Sequence, residues 1–110
     1  MATGISLVLV TTPEGDPAHA LARDLVEEGL AACVNIVPKI RSIYRWEGKI
    51  ADEAESLLVI KTRSETVETL RARVIELHPY SVPEVIAVDV DRGHAPYVQW
   101  VLDQVTAGRR

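Results

Sequence analysis

The sequence has one cysteine, no excess of positive charge and no long apolar segment behind a basic start, and each absence excludes a class of protein. Cys33 has no second cysteine with which to form an intramolecular disulfide. The net charge of -4 offers no broad positive field for a phosphate backbone, so we expect no nucleic-acid partner. No segment resembles a signal peptide or a membrane span, so we expect no membrane partner and a cytoplasmic location.

Motifs of the common catalytic sites are also absent. The chain contains no G-x-S-x-G, no H-E-x-x-H, no phosphate-binding glycine loop and no cysteine pair at zinc spacing. His19, His78 and His94 are too far apart in sequence to form a two-histidine clamp on one helix. Because no nucleophile and base pair is visible, we expect neither an enzyme nor a required cofactor.

The length and composition indicate a single folded domain. The chain has 110 residues, of which 47% are hydrophobic and 25% charged. This composition is apolar enough to form a core. The chain is too short for a second independent domain. We therefore expect one soluble domain over residues 1–110, with a loose tail from about residue 107 onwards.

The hydrophobic periods predict an alternation of strands and helices. Residues 5–10 are an unbroken apolar run typical of a buried strand. Asp16 as a capping residue, followed by Pro17, predicts the start of a helix, which Gly29 is placed to end. Residues 32–46 alternate with a period of two and predict a long strand.

The second half of the chain continues the pattern. Pro38 predicts a bulge or bend, and the turn residues 47–49 lead to a second strand that includes residues 57–60. A helix is predicted from Ser64 to His78, a strand over residues 85–90 and a short helix over residues 96–105. The order β-α-β-β-α-β predicts an α+β, ferredoxin-like two-layer sandwich with an extra C-terminal helix and a long β-hairpin.

The predicted hairpin is longer than the domain that carries it. A straight strand of fifteen residues would reach about 50 Å, whereas a compact domain of this length spans roughly 35 Å. The overhanging ribbon would carry Ile43, Tyr44, Trp46 and Ile50 and would be an open edge for pairing. We therefore expect a homo-oligomer in which each hairpin docks on a neighbour. In the alternative, the strand breaks at Pro38 and the hairpin folds back over its own chain.

Three groups of side chains are candidates for ligand binding. Cys33 is either a buried structural thiol or a ligand for a soft cation such as Cu(I). His78 and Glu84 lie in a loop stiffened by two prolines, and together they could bind a divalent metal weakly. In the alternative, His78 caps the preceding helix and Glu84 pairs with a basic side chain. The third group consists of Tyr44, Trp46, Lys61 and Tyr80. These residues could line a pocket between subunits that holds an anion or a small planar ligand. In the alternative, they only pack at the interface between subunits.

Four sequence blocks occur in a characteristic order: GLAACVNIVP at residues 29–38, YRWEGKI at 44–50, LVIKT at 58–62 and HPYSVPE at 78–84. In this order they resemble the motifs of the CutA divalent-cation tolerance family. The resemblance implies a cytoplasmic homotrimer, similar in shape to the PII signalling proteins, that confers tolerance to copper and other divalent ions.

The resemblance also implies ligands. His78 matches a histidine that binds copper in some members, and others add a cysteine at the end of the first strand and a second histidine before the motif. Here Val10 and Leu77 occupy those regions. We therefore expect Cu2+ or another divalent cation to bind weakly, with Glu84 as the second ligand. The alternative is a PII-like sensor that holds an anionic metabolite near Lys61.

Overall fold

The protein is described here by a computed structural model that covers residues 3–107; the predicted tail beyond Ala107 lies outside the described residues. The strands are β1 (Ile5–Pro13), β2 (Cys33–Trp46), β3 (Lys49–Arg63) and β4 (Val85–Asp89). The helices are α1 (Asp16–Glu27), α2 (Val67–Leu77) and α3 (Ala95–Gln104). A single 3-10 turn, Ser64–Thr66, leads into α2.

The four strands form one sheet in the order β2-β3-β1-β4, and every neighbouring pair is antiparallel. Each of the first two helices connects two strands that are not hydrogen-bonded to each other, so the connections are split β-α-β units. This topology confirms the predicted ferredoxin-like α+β fold with an additional C-terminal helix.

The core lies between one face of the sheet and helices α1 and α2. Because side chains alternate along a strand, every second residue of β1 and β3 faces these helices. The fully buried residues include Val8, Val10, Leu58 and Ile60 from the sheet and Leu25, Leu70 and Val74 from the helices. The buried residues of each helix recur at intervals of three or four, as in Leu21 and Leu25 or Leu70 and Val74, so one face of each helix closes the core.

The opposite face of the sheet is apolar but only partly covered. Helix α3 packs against one end of it, where Val101 and Val105 bury Ile5. Ile86 and Val88 on β4 remain 55% and 54% exposed. No helix among residues 3–107 covers the rest of this face, which we call the open sheet face.

Strands β2 and β3 extend beyond the rest of the sheet. Strand β1 pairs with β3 only between Glu55 and Arg63, so residues 41–54 form a two-stranded ribbon, which we call the hairpin arm. The principal extents are 44 × 26 × 21 Å and the radius of gyration is 14.5 Å, against about 13 Å for a compact chain of this size. The arm therefore projects beyond the body, as predicted.

The predicted bulge is present between Val37 and Ile40, where Pro38 and Lys39 interrupt the register. Lys39 adopts a left-handed backbone with φ 60° at this point. Because the two strands pair on both sides of the bulge, the alternative of a strand broken at Pro38 is wrong.

Two predictions at the start of α1 need correction. Strand β1 runs to Pro13 instead of ending at Val10, because its last three residues pair with residues 55–57 of β3. The N-cap of α1 is Gly15, with no side-chain cap, and Asp16 is the first helical residue. The longer strand leaves only a tight turn before the helix, and Gly15 accommodates that turn with a φ of 85°.

Candidate functional site

A cavity of about 760 Å³ lies between the hairpin arm and the proline-rich loop that follows α2. We call it the arm cavity. Its lining includes three aromatic rings, from Tyr44, Trp46 and Tyr80, and three carboxylates, from Glu53, Glu55 and Glu84. This volume lies in the range of small-molecule sites, about 300–1,000 Å³. The long hairpin thus creates a concave surface within a single chain.

Two tyrosine–glutamate hydrogen bonds organise the wall of the arm cavity. The Tyr80 hydroxyl donates to Oε2 of Glu55 at 2.7 Å and the Tyr44 hydroxyl donates to Oε1 of Glu53 at 2.5 Å. Glu53 and Glu55 are two residues apart on β3 and therefore share one face of the strand. Glu55 is buried, whereas Glu53 is exposed.

The environment keeps both phenols protonated. Burial, followed by the hydrogen bond to Glu55, raises the pKa of Tyr80 above its ordinary value. The hydrogen bond to Glu53, followed by desolvation, raises the pKa of Tyr44. Both hydroxyls therefore remain donors at neutral pH, and each glutamate keeps further lone pairs for a ligand.

Within the part of the chain that the structure describes, Arg41 is the basic residue that lines the arm cavity, and its charge is already paired. Its Nε lies 2.6 Å from Oδ1 of Asp52 across the ribbon. The hydrogen bond between them raises the pKa of Arg41 and lowers the pKa of Asp52. The cavity therefore presents a surplus of negative charge.

His78 is buried, and both of its ring nitrogens are engaged. Nδ1 accepts a hydrogen bond from the Tyr80 backbone N–H at 3.1 Å. The proton therefore resides on Nε2, which donates to the Thr11 carbonyl at 2.7 Å. His78 is the C-cap residue of α2, as one alternative expected, but it caps through its backbone N–H, which donates to the Val74 carbonyl at 2.8 Å. Its ring joins the loop to the end of β1.

This arrangement bears on the predicted metal ligands. Glu84 lines the arm cavity, whereas His78 lies behind it and has no free ring lone pair in this conformation. Among residues 3–107, no three histidine, cysteine, aspartate or glutamate side chains are grouped to hold a metal ion. The expectation of a weak site at His78 and Glu84 stays a prediction.

Lys61 lies apart from the three predicted aromatic residues. Its Nζ lies on the open sheet face, where it donates to Oδ1 of Asn35 and lies 3.8 Å from Sγ of Cys33. Cys33 is half-buried. Tyr44, Trp46 and Tyr80 therefore meet in one chain, without Lys61 and without a second subunit.

Sequence reasoning missed Glu53 and Glu55 as cavity residues. The available signal was their spacing of two on a predicted strand, opposite the segment that carries Tyr44. The proline-rich loop reaches the same carboxylates only through tertiary packing. The spacing of residues along the strand does not encode that packing.

Comparison with known proteins decides the family. The family model described as "CutA1 divalent ion tolerance protein" matches residues 6–104. The chain belongs to the CutA1 family. Its resemblance to that family in sequence blocks is thereby confirmed across nearly the whole domain.

CutA relatives match in both sequence and structure. The divalent-cation tolerance protein CutA of Thermus thermophilus is 46% identical over 95 residues, which cover 86% of this chain and 92% of that protein. Human protein CutA is 50% identical over 97 residues, 88% of this chain, and the match spans about half of the human protein, 54%. The crystal structure of CutA1 from Oryza sativa aligns with a TM-score of 0.93 at 41% identity, covering 97% of this chain and 98% of that one.

The family model and the Thermus thermophilus relative are named for divalent-ion tolerance, and neither name is that of an enzyme. A CutA relative from Arabidopsis thaliana is named as chloroplastic, and one from Archaeoglobus fulgidus is named as periplasmic. Within the described part of this chain, no helix is long and apolar enough to span a membrane.

Proposed function

We propose that the chain is the subunit of a homotrimeric, non-enzymatic module of divalent-cation tolerance in the cytoplasm. In this module the open sheet face and the hairpin arm bind the neighbouring subunits. The names of the relatives support the role in tolerance. The open sheet face is the single observation that carries the assembly.

The open sheet face is too apolar to remain in water. Its exposed residues include Ile86, Val88 and Val37, and half-buried Leu7, Leu9 and Val59 lie between them. Contiguous apolar patches of this kind mark interaction sites. Burial against a second copy stabilises the assembly by about 25 cal/mol for each Å² of apolar surface.

The hairpin arm needs a partner for a similar reason. Ile43 and Ile50 are 67% and 62% exposed, and a two-stranded ribbon alone is marginally stable in water. An arm that docks on the next subunit produces a head-to-tail contact, which closes into a ring when repeated by rotation. A ring of three subunits agrees with the family resemblance.

Sedimentation equilibrium tests the assembly. The wild-type chain is expected to sediment at three times its 12.1 kDa subunit mass at micromolar concentration. Ile86→Glu places a charge on the open sheet face and is expected to dissociate the trimer. Ile75→Glu is the matched control, because Ile75 is 46% exposed on the outer side of α2, and it should remain trimeric. A wild-type monomer would contradict the proposal.

The arm cavity favours a second candidate, a small-molecule sensor. Its volume and its three aromatic rings suit an organic ligand, whereas the described residues contain no preformed group of metal ligands. In this function the trimer changes its interactions when the arm cavity is filled. The two candidates share the same assembly and differ in the occupant, a divalent cation such as Cu2+ or a metabolite.

A further inference from the structure

We propose that the arm cavity binds a small organic cation, a molecule that carries an ammonium or guanidinium group on an apolar skeleton. This inference rests on the sensor function proposed above and names the chemical class of its ligand. It also reverses the sign of the ligand expected from Lys61, which lies outside the cavity.

The described residues give the cavity wall a surplus of negative charge. Glu53, Glu55 and Glu84 line it, and Arg41, the one arginine among the described lining residues, is held by Asp52 at 2.6 Å. An anion in this space would therefore face three carboxylates, with no unpaired cationic side chain among the described lining residues. A cation would find three carboxylate acceptors, of which Glu55 is buried, and a charge-assisted hydrogen bond is stronger at a desolvated group than in water.

Two of the carboxylates are held in a fixed orientation by tyrosine hydroxyls. Tyr80 and Tyr44 each occupy one oxygen of their glutamate, at 2.7 and 2.5 Å. A carboxylate offers about four lone-pair sites, so at least one oxygen of each remains free to accept from a ligand. Glu55 is a buried carboxylate whose hydroxyl partner holds it in place before any ligand arrives. Such preorganisation lowers the ordering cost of binding.

The arm cavity also has an aromatic wall. Tyr44, Trp46 and Tyr80 bring three electron-rich rings to the same cavity as the carboxylates. Aromatic faces attract ammonium and guanidinium groups, and tryptophan does so most strongly. Aromatic rings beside carboxylates suit a cation that carries an alkyl or aryl group. A bare metal ion would leave most of the cavity of about 760 Å³ unfilled.

Calorimetric titration of the full-length trimer with two probes of opposite charge tests the proposal. Phenethylammonium and 3-phenylpropionate share the same phenyl ring and two-carbon spacer, and calcium chloride serves as a third titrant. We expect binding of phenethylammonium alone. Glu53→Gln and Glu84→Gln should each raise its Kd about tenfold through loss of one charge-assisted contact.

Two further variants separate the site from general charge effects. Trp46→Leu should also weaken phenethylammonium binding, because it removes the ring and keeps an apolar side chain. Glu47→Gln is the matched control: Glu47 lies on the turn of the same hairpin but does not line the cavity. It should leave the Kd unchanged.

The outcomes distinguish this inference from the proposed function. A trimer that binds 3-phenylpropionate or calcium instead of the ammonium probe retains the proposed assembly and overturns the inference. A trimer that binds none of the three titrants also overturns it, as does equal weakening by Glu47→Gln. Phenethylammonium binding by a monomer, weakened about tenfold in Glu84→Gln, supports the site and contradicts the trimer.

Discussion

The hydroxyl of Tyr80 donates a 2.7 Å hydrogen bond to Glu55, of which only 5% is exposed. This contact joins the proline-rich loop to the base of the hairpin arm, across 25 residues of sequence. The ring of His78 also holds the loop in place, because its Nδ1 accepts a hydrogen bond from the backbone N–H of Tyr80. The shape of the arm cavity therefore depends on a buried carboxylate and one phenol.

Tyr80→Phe is expected to destabilise the fold. The substitution leaves the Glu55 carboxylate buried without its donor, at a cost of about 1–3 kcal/mol. Tyr44→Phe is the matched control, and it should cost clearly less because Glu53 is exposed and regains hydrogen bonds from water. Urea unfolding at one fixed protein concentration measures both effects. Equal losses in the two variants would contradict the buried role of Glu55.

Alkaline titration should reveal the protonated tyrosines. Burial and hydrogen bonds raise the pKa values of Tyr80, Tyr44 and Tyr97 above 10.0 in the folded state. Stability is then fully present below pH 10, the ordinary value, and falls above it, because the unfolded chain loses protons that the folded chain retains.

The near-ultraviolet absorbance of phenolate checks this titration. The folded protein should ionise its three tyrosines at higher pH than the same chain in concentrated urea. In Tyr80→Phe the decline of stability above pH 10 should be shallower. Coincident titration curves for the folded and the unfolded chain would refute the assignment.

The fold was predictable because its signals are local and repeat along the chain. The period of two over β2 and the stripes of α1 and α2 specify which faces are buried. Boundaries were less predictable where tertiary pairing decides them. Strand β1 continues through Pro13 because β3 supplies partners for it, and its sequence alone shows a run of turn-forming residues.

The candidate site was predictable only in part. Tyr44, Trp46 and Tyr80 are predictable as a group because the hairpin and the proline-rich loop can face one another, although the sequence favours a meeting across subunits and the structure places it within one chain. Lys61 shares a strand with Glu53 and Glu55, yet it lies six or more residues along β3 and on the sheet body, not on the arm. The length of the hairpin arm decides which residues of β3 meet the loop. This length depends on how the strands pair in the folded sheet.

Gly29 joins the end of α1 to the C-terminal segment, and its replacement should be costly. Its φ is 73°, and an added Cβ would overlap Oγ1 of Thr106. Its carbonyl accepts from the backbone N–H of both Thr106 and Ala107 at 3.0 Å. Gly29→Ala should therefore lose about 1–2 kcal/mol from the left-handed backbone, and more from the overlap with Thr106.

Gly48→Ala is the control for the Gly29 substitution. Gly48, on the hairpin turn, has a similar φ of 78°, and an added Cβ there meets nothing within 4 Å. It should lose only the backbone contribution, about 1–2 kcal/mol. Thermal unfolding of both variants measures the difference. A larger loss in Gly48→Ala would show that the contact with Thr106 does not constrain the site.

Copper titration tests the ligands inferred from the family resemblance. Binding of Cu(II) at His78 must displace either the Tyr80 N–H from Nδ1 or the proton that Nε2 donates to Thr11. Loss of one such hydrogen bond, about 1 kcal/mol, weakens the site roughly fivefold relative to an unengaged imidazole. Calorimetry should therefore show weak binding to the wild type.

Variants then assign the copper heat to its ligands. His78→Gln removes the imidazole and retains an amide that can donate to the Thr11 carbonyl, so it should abolish the heat and keep the fold. Glu84→Ala, on the exposed loop, should reduce the heat. His19→Ala is the control, because His19 is exposed on α1, and it should change nothing beyond the loss of adventitious binding. An unchanged heat in His78→Gln would remove copper from the proposed function, since His78 is the histidine that the family resemblance implies as the ligand.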